Sequence, residues 1–191
     1  ELNKYTPSFF LFLQNFIIPF DFMFWESWSL SVEEWFYFTL PFAILIFYRL
    51  FKDKTSKKNI LLFVILLFIL WPLAYRIFRA ERLSVDAIMF DVHFRKIVLA
   101  RMDMIMFGAL GAFVKMYYFD FWQRYKNLFF ISGLGIIFFL LFLDLPPDNY
   151  FSKTISFSMM GFAILLLLPK ADKISSFRTG FGKAITFISI I

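Results

Sequence analysis

In this 191-residue chain the groups that could do chemistry are a few ionisable side chains set against long apolar runs. Glu33 and Glu34 lie side by side in Trp28-Ser29-Leu30-Ser31-Val32-Glu33-Glu34-Trp35-Phe36-Tyr37, at the mouth of an apolar run that ends near Phe51. Ionised groups are costly in hydrocarbon, so this pair needs a reason. A carboxylate can orient or assist a base, and a guanidinium can hold a phosphate or a developing oxyanion. Arg101, with Asp103 two residues on, opens a second apolar run and offers that guanidinium. On a helix, neighbours are about 100° apart, so only one glutamate can face a given cavity squarely. Arg101 and Asp103 point to roughly opposite sides and should not pair with each other.

Each of these residues also has a purely structural reading. Ser31 and Glu34 have the S-x-x-E spacing of a capping box, which would start a helix at Ser31 and leave Glu33 sharing a face with Tyr37. Arg101 reads as a snorkelling anchor at a helix end. His93, the one histidine, brings no triad partner in sequence and reads as a loop or interfacial side chain. The basic set Arg76, Arg79, Arg82, Arg95 and Lys96 reads as a solvated face.

The elements that must position these residues follow from hydropathy. The chain is 61% hydrophobic and 24% aromatic, with a mean hydropathy of +0.72. That is too apolar for a soluble domain of this size, and 60–75 has no polar face. The expectation is an all-α, multi-pass transmembrane bundle with about five complete spans and partial segments at both ends. The spans are Ser31 to about Phe51, with Pro41 inside and a kink beside it; Ile60 to about Tyr75; Ile97 to about Tyr118; Leu128 to Leu143; and Ile155 to about Leu168. Phe9 to Phe24 is a partial helix leading into an interfacial loop that carries Trp25 and Trp28. Asp144-Leu145-Pro146-Pro147-Asp148 is a turn, and a sixth helix begins near Phe181. Small residues at Gly108, Gly111 and Ala112 offer close approach to a neighbouring helix.

The formal charge is +6, but the basic residues sit in short loops beside apolar runs, where they set topology rather than bind nucleic acid. Loops with Lys52 to Lys58, Arg124 and Lys126, and Lys170 to Arg178 are expected to be cytoplasmic. The Arg76 to Lys96 connection breaks the rule. With this topology the Glu33-Glu34 end of one helix and the Arg101-Asp103 end of another share the outer side, where carboxylate and guanidinium could meet. Cysteine is absent, which removes thiolate ligands and nucleophiles, and no metal site is expected. There is no initiator methionine, and the chain reads as one membrane-embedded domain, 1–191, truncated at both ends.

The stretch Trp28-Ser29-Leu30-Ser31-Val32-Glu33-Glu34-x-Phe36-Tyr37, followed by Pro41, resembles the signature of the membrane acyltransferase-3 family, multi-pass O-acyltransferases that modify bacterial surface sugars. Arg101-Met102-Asp103-x-x-x-x-Gly108-Ala109 resembles that family's Arg-x-Asp…Gly helix. Phe12-Leu13-Gln14-Asn15-Phe16 resembles the Gln-Asn segment before the signature. Together the matches cover about half the chain. Trp35 stands where the family usually has Gln or His. The family's proposed catalytic histidine, separated by ten residues from a basic residue in its first membrane helix, would lie upstream of Glu1. Arg82 and His93 show the same spacing but fall in a polar stretch, and the coincidence is discounted.

The resemblance implies an inner-membrane O-acyltransferase that moves an acyl group, acetyl foremost, from acyl-CoA as donor substrate to an extracytoplasmic carbohydrate or lipid-linked glycan. No cofactor is implied beyond acyl-CoA. Glu33, Glu34 and Arg101 become its candidate catalytic residues, and Trp28, Ser31, Tyr37 and Asp103 its candidate substrate contacts. The alternatives are a glycan-precursor transporter or flippase, which also needs intramembrane charge, and a fragment with no activity of its own.

Overall fold

The computed structural model describes Phe12, Leu13, Phe16, 28–143 and 145–172. Every regular element among these residues is helical. Five long helices dominate: α1, Trp28–Phe51; α2, Lys57–Ala80; α3, Met102–Tyr117; α4, Lys126–Phe142; and α5, Ile155–Ala171. Short helical turns lie between them at Ala87–Phe90, Asp91–Arg95, Val98–Ala100, Phe119–Arg124 and Tyr150–Lys153. The expected partial helix before Trp28, with Gln14, Asn15 and Trp25, and the sixth helix near Phe181 fall outside the described residues.

Two helices, α1 and α2, are long and apolar enough to cross a membrane, at 24 residues each. At about 1.5 Å per residue they rise roughly 36 Å, beyond the ~30 Å of a hydrocarbon core. The other three, with 16 or 17 residues, rise only about 24–26 Å by the same measure. Of its residues α4 buries only Gly133. A helix this apolar with an open surface is what a lipid environment accommodates.

Hydrophobic phase decides how α1 sits. Ser31, Val32 and Phe36 are buried, Trp28 and Trp35 half-buried, and Glu33, Glu34, Tyr37 and Phe38 exposed. That is the i, i+3, i+4, i+7, i+8 stripe of a one-faced helix. The capping box expected at Ser31 and Glu34 is not formed, because 28–30 are already helical and Ser31 is a buried position inside the helix. Trp28 to Leu30, expected as loop, are helix. The helix continues through Pro41. The Trp35 indole Nε1 donates to the Phe12 carbonyl at 3.0 Å, and its ring packs on Phe16 at 4.7 Å.

α2 begins at an N-cap, Ser56, whose side chain accepts from the Asn59 N–H at 3.4 Å. It runs past the expected end at Tyr75 and carries Arg76 and Arg79 inside the helix. Its buried face is Ile60, Val64, Ile65, Ile69, Pro72, Arg76 and Ala80. Arg76 therefore belongs to the apolar stripe, in phase, and not to a polar loop.

α1 packs on α2, α2 on α3, α3 on α5, and α5 most extensively on α4. Glycines set the α5 contacts. A Cβ at Gly111 would stand 2.8 Å from Leu165, one at Gly133 2.8 Å from the Ala163 carbonyl oxygen, and one at Gly161 2.6 Å from Phe107. Of the three small residues expected to admit a neighbour, only Gly111 does so. Gly108 has nothing within 4 Å of its Cβ position, and Ala112 is exposed.

Candidate functional site

At the end of the bundle where α2 finishes and α3 begins, a guanidinium is completely buried. Arg76, 0% exposed, donates through Nη1 and Nη2 to the two carboxylate oxygens of Asp103 at 3.1 and 2.8 Å. Its Nε donates to the Thr154 carbonyl at 2.9 Å, Nη1 also to the Ala100 carbonyl, and Nη2 also to Ser158 Oγ at 2.5 Å. These contacts use all five N–H donors of an arginine. Asp103, also 0% exposed, accepts in addition from Ser158 Oγ at 2.6 Å. The fork-on-fork geometry is the strongest form of such a pair. It ties α2, the Val98–Ala100 turn, α3, the Thr154 corner and α5 through one planar group.

Arg101 lies beside this network with the opposite status. It immediately precedes α3, is half-buried, and its guanidinium stands 4.5 Å from the Phe157 ring centroid and 5.9 Å from that of Trp28. Among the described residues it makes no ion pair or side-chain hydrogen bond. Arg76 lies over the same Phe157 ring at 5.5 Å. The two arginines thus share one aromatic wall, one with every donor spent and one with no hydrogen-bond partner among the described residues.

Trp28, Arg101 and Asp103 are brought into one region, since Trp28 and Val32 of α1 pack with Val98 and Met102 at the start of α3. Ser31 is buried on this same side of α1. Glu33, Glu34 and Tyr37 are not brought in. They occupy the exposed face of α1, and neither glutamate forms an ion pair among the described residues. The starts of α1 and α3 pack together, but the carboxylates and the Arg101 guanidinium do not meet, because the phase of α1 is set by Val32, Trp35 and Phe36. Arg76 and Ser158 are the site residues that sequence reasoning missed.

The neighbouring connection is stitched by polar side chains. His93 lies in the Asp91–Arg95 turn, and its Nδ1 is 2.7 Å from Arg79 Nη2. Arginine can only donate, so Nδ1 accepts and the ring proton belongs on Nε2. Burial, and then the adjacent Arg79 charge, push the His93 pKa below its ordinary 6.5. Arg79 also donates to the Tyr75 hydroxyl at 2.7 Å. Asp148 accepts from the Val85 N–H at 2.9 Å and from Lys153 Nζ at 3.0 Å, while Lys153 also donates to the Leu83 carbonyl at 3.1 Å. The Val85 hydrogen bond, followed by that from Lys153, holds the Asp148 carboxyl below the usual range.

Among the described residues no group of three or more His, Cys, Asp or Glu side chains is placed to hold a metal ion. Compared with family models, curated proteins and solved structures, the chain gives no match.

Proposed function

We propose that the protein is the membrane-embedded domain of an O-acyltransferase that moves an acyl group, acetyl foremost, from acyl-CoA to a hydroxyl of an extracytoplasmic carbohydrate or lipid-linked glycan. The observation that carries the reading is the Arg101 guanidinium, without a hydrogen bond or ion pair among the described residues and held between Trp28 and Phe157 beside a fully satisfied ion pair. The resemblance of the α1 and α3 stretches to the acyltransferase signature supports it. In this reading all five long helices cross the inner membrane. In it the short turns Val98–Ala100 and Tyr150–Lys153, which precede α3 and α5, face the outer side.

Acyl transfer requires the acceptor hydroxyl to attack the thioester carbonyl. The C–S bond then breaks, CoA leaves as the thiolate, and the hydroxyl proton reaches the sulfur through a base. Charge builds on the carbonyl oxygen in between. Arg101 supplies fixed N–H donors for that oxyanion or for a donor phosphate, in a site where apolar walls strengthen the interaction. Arg76, with no donor left, positions Asp103 and the start of α3. Glu33 and Glu34 face away from Arg101 and serve a group brought to the exposed side of α1, where a carboxylate orients a base.

The buried Arg76–Asp103 pair also suits a transporter for glycan precursors, because intramembrane ion pairs mark substrate pathways. Membranes from cells expressing the full chain separate the two. In the enzyme, Arg101→Gln abolishes acylated glycan by mass spectrometry at an unchanged protein level. Normal acylation together with blocked glycan export would overturn the enzyme and favour the transporter.

A further inference from the structure

The two ends of the bundle differ in charge. Around the α1–α2 turn stand Arg49, Lys52, Lys54, Lys57 and Lys58, with Asp53 as the one acid. At the same end lie Lys115, Arg124, Lys126 and Lys170, with Asp120 and Asp172. Contacts across helices place the two groups together: Lys58 Nζ is 4.1 Å from the Tyr118 ring centroid and 5.2 Å from that of Tyr117, and Lys115 pairs with Asp172 at 2.6 Å. Among the described residues this end therefore carries nine basic and three acidic residues, a formal +6. The opposite end, with seven of each among the described residues, is neutral apart from His93.

The short helix Phe119–Arg124, which joins α3 to α4, lies in the basic end. It is anchored inward by Trp122, which packs with Phe113 and Leu165 in the core, while Tyr118, Phe119, Phe121 and Tyr125 stay exposed. Exposed rings interleaved with Arg124 and Lys126 are poorly placed in bulk water. They are well placed at headgroup depth, where aromatic rings collect and basic side chains meet phosphate.

We infer that this end is an anionic-phospholipid interface, with phosphatidylglycerol-type headgroups held by the basic side chains and acyl chains packed on the exposed rings. The aromatic edge favours a lipid over a soluble phosphate, which would gain nothing from Phe119 or Phe121. The inference rests on the bundle lying in a bilayer but not on acyl transfer.

The test uses the full chain reconstituted in nanodiscs with spin-labelled phosphatidylglycerol or phosphatidylcholine as probe, read by electron spin resonance as relative association with the protein. The expected result is a preference for phosphatidylglycerol of roughly fivefold or more at low salt, collapsing at 0.5 M salt as screening requires. Lys52→Gln/Lys54→Gln/Arg124→Gln, all at exposed positions, lowers the preference several-fold. Arg82→Gln/Arg95→Gln at the neutral end leaves it unchanged. Equal association of the two lipids, or equal loss from both variants, overturns the proposal. Vesicle flotation checks the premise separately, because a chain that does not float overturns the membrane reading, whereas a floating chain without lipid preference overturns only this inference.

Discussion

Arg76 and Arg101 stand against the same Phe157 ring, yet one ties five segments together and the other makes no hydrogen bond among the described residues. The difference is not in the residue type but in what the backbone offers. Arg76 emerges from the buried stripe of α2 into two free carbonyls, a carboxylate and a hydroxyl. Arg101 emerges ahead of α3 between two aromatic faces, which attract a cation without using its N–H groups. The first cation is held by consuming its donors, whereas the second is held by ring faces that use none.

The largest effect expected from breaking this comparison is at Arg76. Replacing it with Met leaves Asp103 buried and unpaired, which costs about 3–5 kcal/mol. A thermal melt of the detergent-solubilised protein should show a large drop. The double variant Arg76→Met/Asp103→Leu recovers only the share due to the unpaired charge, because the Thr154 and Ala100 carbonyls and the Ser158 hydroxyl stay without their donor. A double variant as unstable as the single one would mean that these stranded acceptors, and not the unpaired carboxylate, carry the loss.

A smaller effect is expected at Gly161, one turn beyond Phe157 and Ser158. A methyl group there meets the Phe107 ring at 2.6 Å, and overpacking of this kind costs about 1–3 kcal/mol. Gly161→Ala should lower the melting temperature and disturb both arginines by shifting α5 on α3. Gly108→Ala, with open space around its Cβ position, should instead stabilise by about 0.5–1 kcal/mol through helix propensity.

The smallest effect concerns a third guanidinium, Arg79, which donates to His93. The folded pKa of His93 lies below its ordinary 6.5, so the unfolded chain binds the proton more readily. His93 therefore contributes stability that is fully present above pH 6.5 and is lost as the pH falls through the lower folded value. Melting scans from pH 8 downward should show a loss beginning below about 6.5 that His93→Gln removes. Asp148, also lowered, adds a loss of the same sign only once the pH falls below the ordinary carboxylate range.

Much of this architecture was legible in the sequence. Apolar runs locate all five long helices, and the alternation of basic loops orders their ends. Asp103 was expected to have no local partner in Arg101, and it pairs with Arg76 instead. What escaped was phase. A hydropathy window stops at Arg76 because arginine is counted as polar, yet its spacing from Ile69, Pro72 and Ala80 keeps it on the buried stripe. The same reasoning applied to Val32, Trp35 and Phe36 turns Glu33 and Glu34 outward and makes Ser31 an interior position. The short helix Phe119–Arg124 was invisible because its apolar residues merge with the end of α3. Ser158 could not have been found at all, since its partners lie 55 and 82 positions away.

The central claim is that Arg101 is held open for a ligand while Arg76 is spent on structure, and parallel melting and acylation measurements on Arg101→Gln and Arg76→Met test it directly. Arg101→Gln should melt within about 2 kcal/mol of the parent, the upper range for a lost cation–π contact, and should transfer no acyl group. Wild-type acylation by Arg101→Gln, or a melt as depressed as that of Arg76→Met, would contradict the account.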